Sequence, residues 1–248
     1  MGMPRPPRID LPGVPCHVYT RGNNRGDCFF EDHDRVLYLR YLDEAARANR
    51  CAIHAYVLMT NHVHLVVTPA VSGGLSRMMQ SVDRRYAKFI NASRGRTGTL
   101  YEGRFRANPI QTEPYFLACM RYVEMNPVRA RLVEAPADYR WSSHRENASG
   151  APGTILTPHE EYLGLGPDAP SRGAAYRALF EEDLDAGVVT AIREHAAQGK
   201  VLGLPEFQRK IEAELGRPAG LVSRGRPARS AGKAARNPIP ENQPDTIS

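Results

Sequence analysis

An α+β fold, with an antiparallel sheet carrying helices on one face, is what this sequence predicts, and three observations predict it. Two apolar runs, 51–59 and 62–68, are separated only by a tight "TN" turn. Amphipathic stretches with helical spacing flank that hairpin, at 32–49 and 75–91. A short run rich in β-branched and aromatic residues, "VPCHVYTRG" at 14–22, precedes the first of them.

Each element has its own signal. After the first strand, "NNRGDCFF" supplies turn chemistry through Asn, Gly and Asp. Within 32–49, Val36, Leu37, Leu39, Leu42, Ala45 and Ala46 recur at helical intervals, with Tyr41 less regular. The second helix, 75–91, turns Met78, Met79, Val82 and Phe89 to a core and a basic face to solvent. "TGTLYEGRFRANPI" mixes strand-forming residues with glycine and arginine, as an exposed strand or hairpin does. Thr112 is placed to cap a third helix over 113–125. Strand, helix, strand, strand, helix, strand, helix is the split βαβ order of a ferredoxin-like sheet. Three short helices follow in "AAYRALFEEDL", "AGVVTAIREHAAQ" and "PEFQRKIEAEL", and the last stretch lacks apolar periodicity. The expected division is a core over 1–148, a linker over 149–171, a helical extension over 172–216 and a basic, disordered tail over 217–248.

The net charge of +6 is concentrated. Between 74 and 108, eight basic residues (Arg77, Arg84, Arg85, Lys88, Arg94, Arg96, Arg104, Arg106) face only Asp83 and Glu102, while 157–215 holds eleven acids against six bases. An arginine-dominated window favours phosphate contact, so Arg21, Arg84, Arg85, Arg104 and Arg106 are expected to bind DNA. Cys16, Cys28, Cys51 and Cys119 are scattered without a C-x-x-C pair and read as small buried hydrophobes. The longest apolar runs fall short of about 18 residues, and the N-terminus has no signal-like apolar stretch. A cytoplasmic, nucleoid-associated protein without a membrane partner is the expectation.

"YVLMTNHVHLVV" carries the chemistry. His62 and His64, two apart on a strand, point to the same face. An isolated H-x-H is more often two satisfied histidines than a site. In "RYVEMNPV", however, Tyr122 and Asn126 lie four apart on the flank of the stripe formed by Phe116, Met120 and Val123, and can address one point. Two imidazoles and an amide oxygen leave positions open on Mg²⁺ or Mn²⁺ for phosphate oxygens, with a phenol as nucleophile.

"TNHVHLVV", "RYVEMNPV", "GTLYEGRFRA" and "WSSHR" together resemble the REP-associated tyrosine transposases of the HUH single-tyrosine superfamily, in order, over 11–144. The resemblance implies a nuclease core in which His62, His64 and Asn126 bind metal and Tyr122 is the nucleophile. It implies cleavage of single-stranded DNA beside a hairpin, leaving a 5′-phosphotyrosine and a free 3′-OH.

Tyr86, on the basic helix, is the competing nucleophile or a base-stacking residue; Tyr115 and Tyr101 are candidates for packing or stacking. His17, His33, His54, His144, His159 and His195 show no zinc-finger spacing and read as ordinary. Two other functions stay open: a catalytically vestigial repeat-DNA-binding protein, and an HUH replication initiator or relaxase, which the absence of a P-loop disfavours. Monomer and homodimer are both compatible with the sequence.

Overall fold

The structure, a computed structural model, describes residues 7–150 and 155–222. Four strands, β1 (Cys16–Arg21), β2 (Cys51–Leu58), β3 (His62–Pro69) and β4 (Arg106–Pro109), form one antiparallel sheet in the order β2-β3-β1-β4. Helices α1 (Asp32–Ala48) and α2 (Gly74–Ser93) connect β1 to β2 and β3 to β4, which is the ferredoxin-like arrangement expected.

Strand periodicity sorts the residues. Val63, Leu65 and Val67 of β3, with Cys16 and Val18 of β1, join Tyr38, Leu42, Met78, Met79, Val82 and Tyr86 of α1 and α2 in one core. The alternate residues face the other way, where Val57 and Val66 meet Phe116, Met120 and Val123 of α3 (Thr112–Glu124). Helices on one face therefore describes α1 and α2; α3 covers the opposite face, because its apolar stripe has the second set of strand residues to bury.

The Thr112 cap does not form. The helical span begins at Thr112 itself, Glu113 is non-helical, and Gln111 makes no side-chain cap. Gln111 Oε1 instead accepts from the Leu204 amide at 2.7 Å. Pro127 interrupts the helix, and a short α4 (Asn126–Arg129) follows directly.

The C-terminal half packs on the core. Short helices α5 (His144–Ser149) and α6 (Glu160–Leu163) lead to α7 (Ala169–Ala178), α8 (Ala186–Gln198) and α9 (Pro205–Leu215). Residues 155–157, in the expected linker, run beside β2 through a bridge between Ile53 and Leu156. After α8, Gly199 takes a left-handed φ of 64°, and the chain turns back so that the Leu202 amide donates to Pro109 O at 2.9 Å. Residues 217–222, expected in the tail, carry Ala219 into a third apolar cluster with Ile9, Leu11, Val201 and Ile211. The expected disordered stretch otherwise lies at 223–248, outside the described residues. No helix among the described residues is long and apolar enough to cross a membrane.

Candidate active site

The α3-facing side of the sheet holds the polar pocket. In the β1–β3 register, Tyr19 lies opposite His64 and Arg21 opposite His62, so His17, Tyr19, Arg21, His62 and His64 share that face. Tyr122 and Asn126 approach from α3 and α4. A cavity of about 380 Å³ is lined by His17, Tyr19, His62, His64, Tyr122 and Asn126, with Arg106, Arg129 and Arg193.

Hydrogen bonds fix both imidazoles of the H-x-H pair. Asn61 Nδ2 donates to Arg25 O at 3.0 Å, which turns its Oδ1 to accept from His62 Nδ1 at 2.7 Å. His64 Nδ1 lies 2.8 Å from His17 Nε2. In each ring the remaining nitrogen is Nε2, and a partner on the other nitrogen is what orients a metal-binding histidine. Burial pushes His62 down to about 4, with the nearby Asn126 amide opposing. Burial pushes His64 well below the ordinary 6.5, and the neighbouring His17, His62 and Arg129 act in the same direction. Both rings are thus neutral at neutral pH.

Tyr122 stands over this pair. Its ring centroid is 5.9 Å from that of His64 and 5.7 Å from that of His17, both edge-on. The Arg129 guanidinium lies 4.2 Å from the Tyr122 ring centroid and donates to the Tyr122 carbonyl.

Tyr86, Tyr101 and Tyr115 lie outside this cavity. Tyr86 belongs to the core across the sheet; it is fully buried, donates its OH to Cys28 O at 2.9 Å, and burial raises its phenol far above the ordinary range. It neither attacks nor stacks on a base. Tyr101 is buried in the same core, and Tyr115 packs on the α3 cluster. Of the cysteines, Cys16, Cys28 and Cys119 are buried and Cys51 is half-buried.

The expected DNA-binding arginines separate into two groups. Arg21, Arg104 and Arg106 gather around Glu102 in a small pocket that shares Arg106 with the cavity, Arg21 pairing with Glu102 at 2.8 Å. Arg84 and Arg85 sit on α2, across the sheet, where Arg85 bonds Glu44 at 2.6 Å and lies over Tyr41.

Several functional residues were missed in the sequence. His17 and Tyr19 alternate with the core residues of β1 and so carry the same period-two signal as His62 and His64. His144, expected to be ordinary, belongs to a buried cluster around Glu124 of α3. Glu124 accepts from Ser143 Oγ at 2.5 Å, Asn147 Nδ2 at 2.8 Å and Tyr176 OH at 2.8 Å, and His144 Nδ1 lies 3.2 Å away. A fully buried carboxylate needs such partners. The cluster ties "WSSHR" to the helix that carries Tyr122.

Two neutral imidazoles on a strand, an amide, a phenol and arginines thus line one cavity on a ferredoxin-like sheet. Residues 12–126 match the family described as Transposase IS200 like. One similar solved structure is a REP-associated tyrosine transposase bound to a REP hairpin, 19% identical, with a TM-score of 0.50 over 63% of this chain and 93% of that one. A putative transposase from Deinococcus radiodurans is 16% identical over 49% of this chain and 94% of that one, with a TM-score of 0.34, too low to speak to the fold. No curated protein matches in sequence.

Proposed function

We propose that the protein is a metal-dependent single-stranded DNA endonuclease and strand transferase that works beside hairpin repeats through a 5′-phosphotyrosine on Tyr122. The observation that carries this reading is the convergence of Tyr122, His62, His64 and Asn126 on one cavity whose lining contains no carboxylate.

Among the described residues no group of three or more His, Cys, Asp or Glu is placed to hold a metal, so a divalent ion here needs the Asn126 amide as its third protein ligand. The donor set fits: two neutral imidazoles with their Nδ1 atoms already engaged, and one amide oxygen donor. His62, His64 and Asn126 would hold Mg²⁺ or Mn²⁺, which supplies Lewis acidity at a phosphoryl oxygen when bound.

Tyr122 Oη attacks phosphorus and the P–O3′ bond breaks. The phenol gives up its proton, the departing 3′ oxygen gains one, and the strand ends as a 3′-OH. The phosphotyrosine ester keeps the bond energy, so attack by a 3′-OH restores a phosphodiester and releases Tyr122. Arg21, Arg104 and Arg106 guide the single strand into the cavity. Arg84 and Arg85 meet DNA only along the far layer, where a hairpin stem reaches. The preference for a hairpin is proposed by likeness to the solved relative that holds one.

The test is a denaturing-gel assay with Mn²⁺ and hairpin-plus-flank oligonucleotides drawn from the host's own repeats. Wild type and Tyr86→Phe are expected to form a covalent adduct, and Tyr122→Phe and His64→Ala to form none. Tight binding without any adduct, with Mn²⁺ and with Mg²⁺, would leave a DNA-binding protein and no enzyme.

A further inference from the structure

Part of the cavity's lining is not built by the matched stretch. It is built by α4 and by α8 of the C-terminal extension, which contribute Arg129, Arg193, Ala196 and Ala197, all beyond the matched residues 12–126. Helix α8 is held rigidly. Ile192 is fully buried in the α3 cluster, Asp185 caps the first turn by accepting from the Val188 amide at 3.0 Å, and Arg106 donates to Ala197 O at 3.3 Å. Just past the helix, the Gln111 amide donates to Leu202 O at 2.7 Å.

Two guanidiniums thus share one wall beside Tyr122. No ion pair among the described residues involves Arg129 or Arg193. Glu182 and Asp183 line a neighbouring cavity with Arg129 and Arg193, and their charge bears on Arg121, which donates to Glu182 O. Arg129 is already partly desolvated, and Arg193 adds like charge to it. Unpaired cations held together on a rigid wall repel each other until an anion arrives. The alanines of α8 leave the room for one.

We infer that Arg193, with Arg129, forms the anion site that holds the scissile phosphodiester against Tyr122, so that the C-terminal extension is part of the active site. The inference rests on the proposed strand-cleavage reading for the identity of its anion. The planar forks of two arginines suit the equatorial oxygens of a phosphoryl group under in-line attack, whose charge grows in the transition state. Ala196 and Ala197 keep that wall low enough for the backbone of the strand to lie against it.

Two readouts on the full-length protein test this. In single-turnover adduct formation at saturating hairpin oligonucleotide, Arg193→Ala is expected to slow the chemical step about 100-fold, the scale of losing one charge-stabilising donor. The melting temperature should stay at the wild-type value, since Arg193 is exposed. Arg193→Lys should recover only part of the rate, because an ammonium lacks the fork. Orthophosphate titrated into Tyr122→Phe protein and followed by ³¹P line broadening should bind about tenfold more weakly once Arg193→Ala is added. A wild-type adduct rate in Arg193→Ala, or phosphate binding unchanged by it, overturns the anion site. Phosphate binding lost in Arg193→Ala, from a protein whose wild type forms no adduct, keeps the anion site and removes the strand-cleavage reading instead.

Discussion

The two faces of the sheet are made from the same strands and do opposite things with the same residue type. Toward α1 and α2, Val63, Leu65 and Val67 close a core in which Tyr38, Tyr86 and Tyr101 are buried, their phenols pushed up by desolvation and inert. Toward α3, the intervening residues His62 and His64 join His17 and Tyr19, and Tyr122 lines an open cavity. A tyrosine's chemistry here is set by which face receives it. A one-residue slip of β3 would exchange the two roles, so the apolar alternation that stabilises the fold also places the imidazoles.

The largest contrast comes from neighbours on β3. Leu65→Ala should cost about 2–5 kcal/mol of stability, read by denaturant unfolding, because it opens a cavity among fully buried side chains. His64→Ala, one residue away, should abolish Mn²⁺ binding, read by electron paramagnetic resonance, while the protein stays folded. If His64→Ala unfolded the chain and left Mn²⁺ affinity intact in the folded fraction, the two faces would not be separable in this way.

A smaller effect tests what holds the ligand. His17→Phe keeps the volume of the ring but removes the bond to His64 Nδ1, and should weaken Mn²⁺ binding about 10- to 100-fold. Unchanged affinity would make His17 a packing residue only.

The smallest lies on the core side. Burial raises the Asp83 carboxyl from 3.8 to about 7, with Arg8 opposing, and its Oδ1 has no hydrogen-bond partner. The folded protein then holds a proton that the unfolded chain releases, so stability falls as pH rises from 3.8 toward about 7. Asp83→Asn has no such titration, and its melting temperature should gain on wild type between pH 5 and pH 8 by a few degrees. A constant difference across that range would contradict the shift.

Much of this was legible in the sequence because short-range periods carry it. The "TN" hairpin, the spans of α1 and α2, and the pairing of His62 with His64 all follow from spacing alone. Tyr86 was legible too: Met79, Val82, Tyr86 and Ile90 follow one helical stripe, although the arginines beside it suggest a DNA-facing role. His17 was hidden because a six-residue strand gives only three alternations from which to read a face. The Glu124 cluster and the arginine wall depend on contacts between residues far apart in the chain, such as Glu124 with Tyr176 and Arg106 with Ala197, for which no local period exists.

The central claim is that Tyr122, and no other tyrosine, takes the phosphate. Its most direct measurement is mass spectrometry of the tryptic peptides from a protein–oligonucleotide adduct after nuclease trimming. Cleavage after Arg121 and Arg129 isolates residues 122–129, and cleavage after Arg85 and Lys88 isolates 86–88. The account predicts a nucleotide mass on 122–129 alone. The same mass on 86–88, or on any peptide containing Tyr101 or Tyr115, would contradict it.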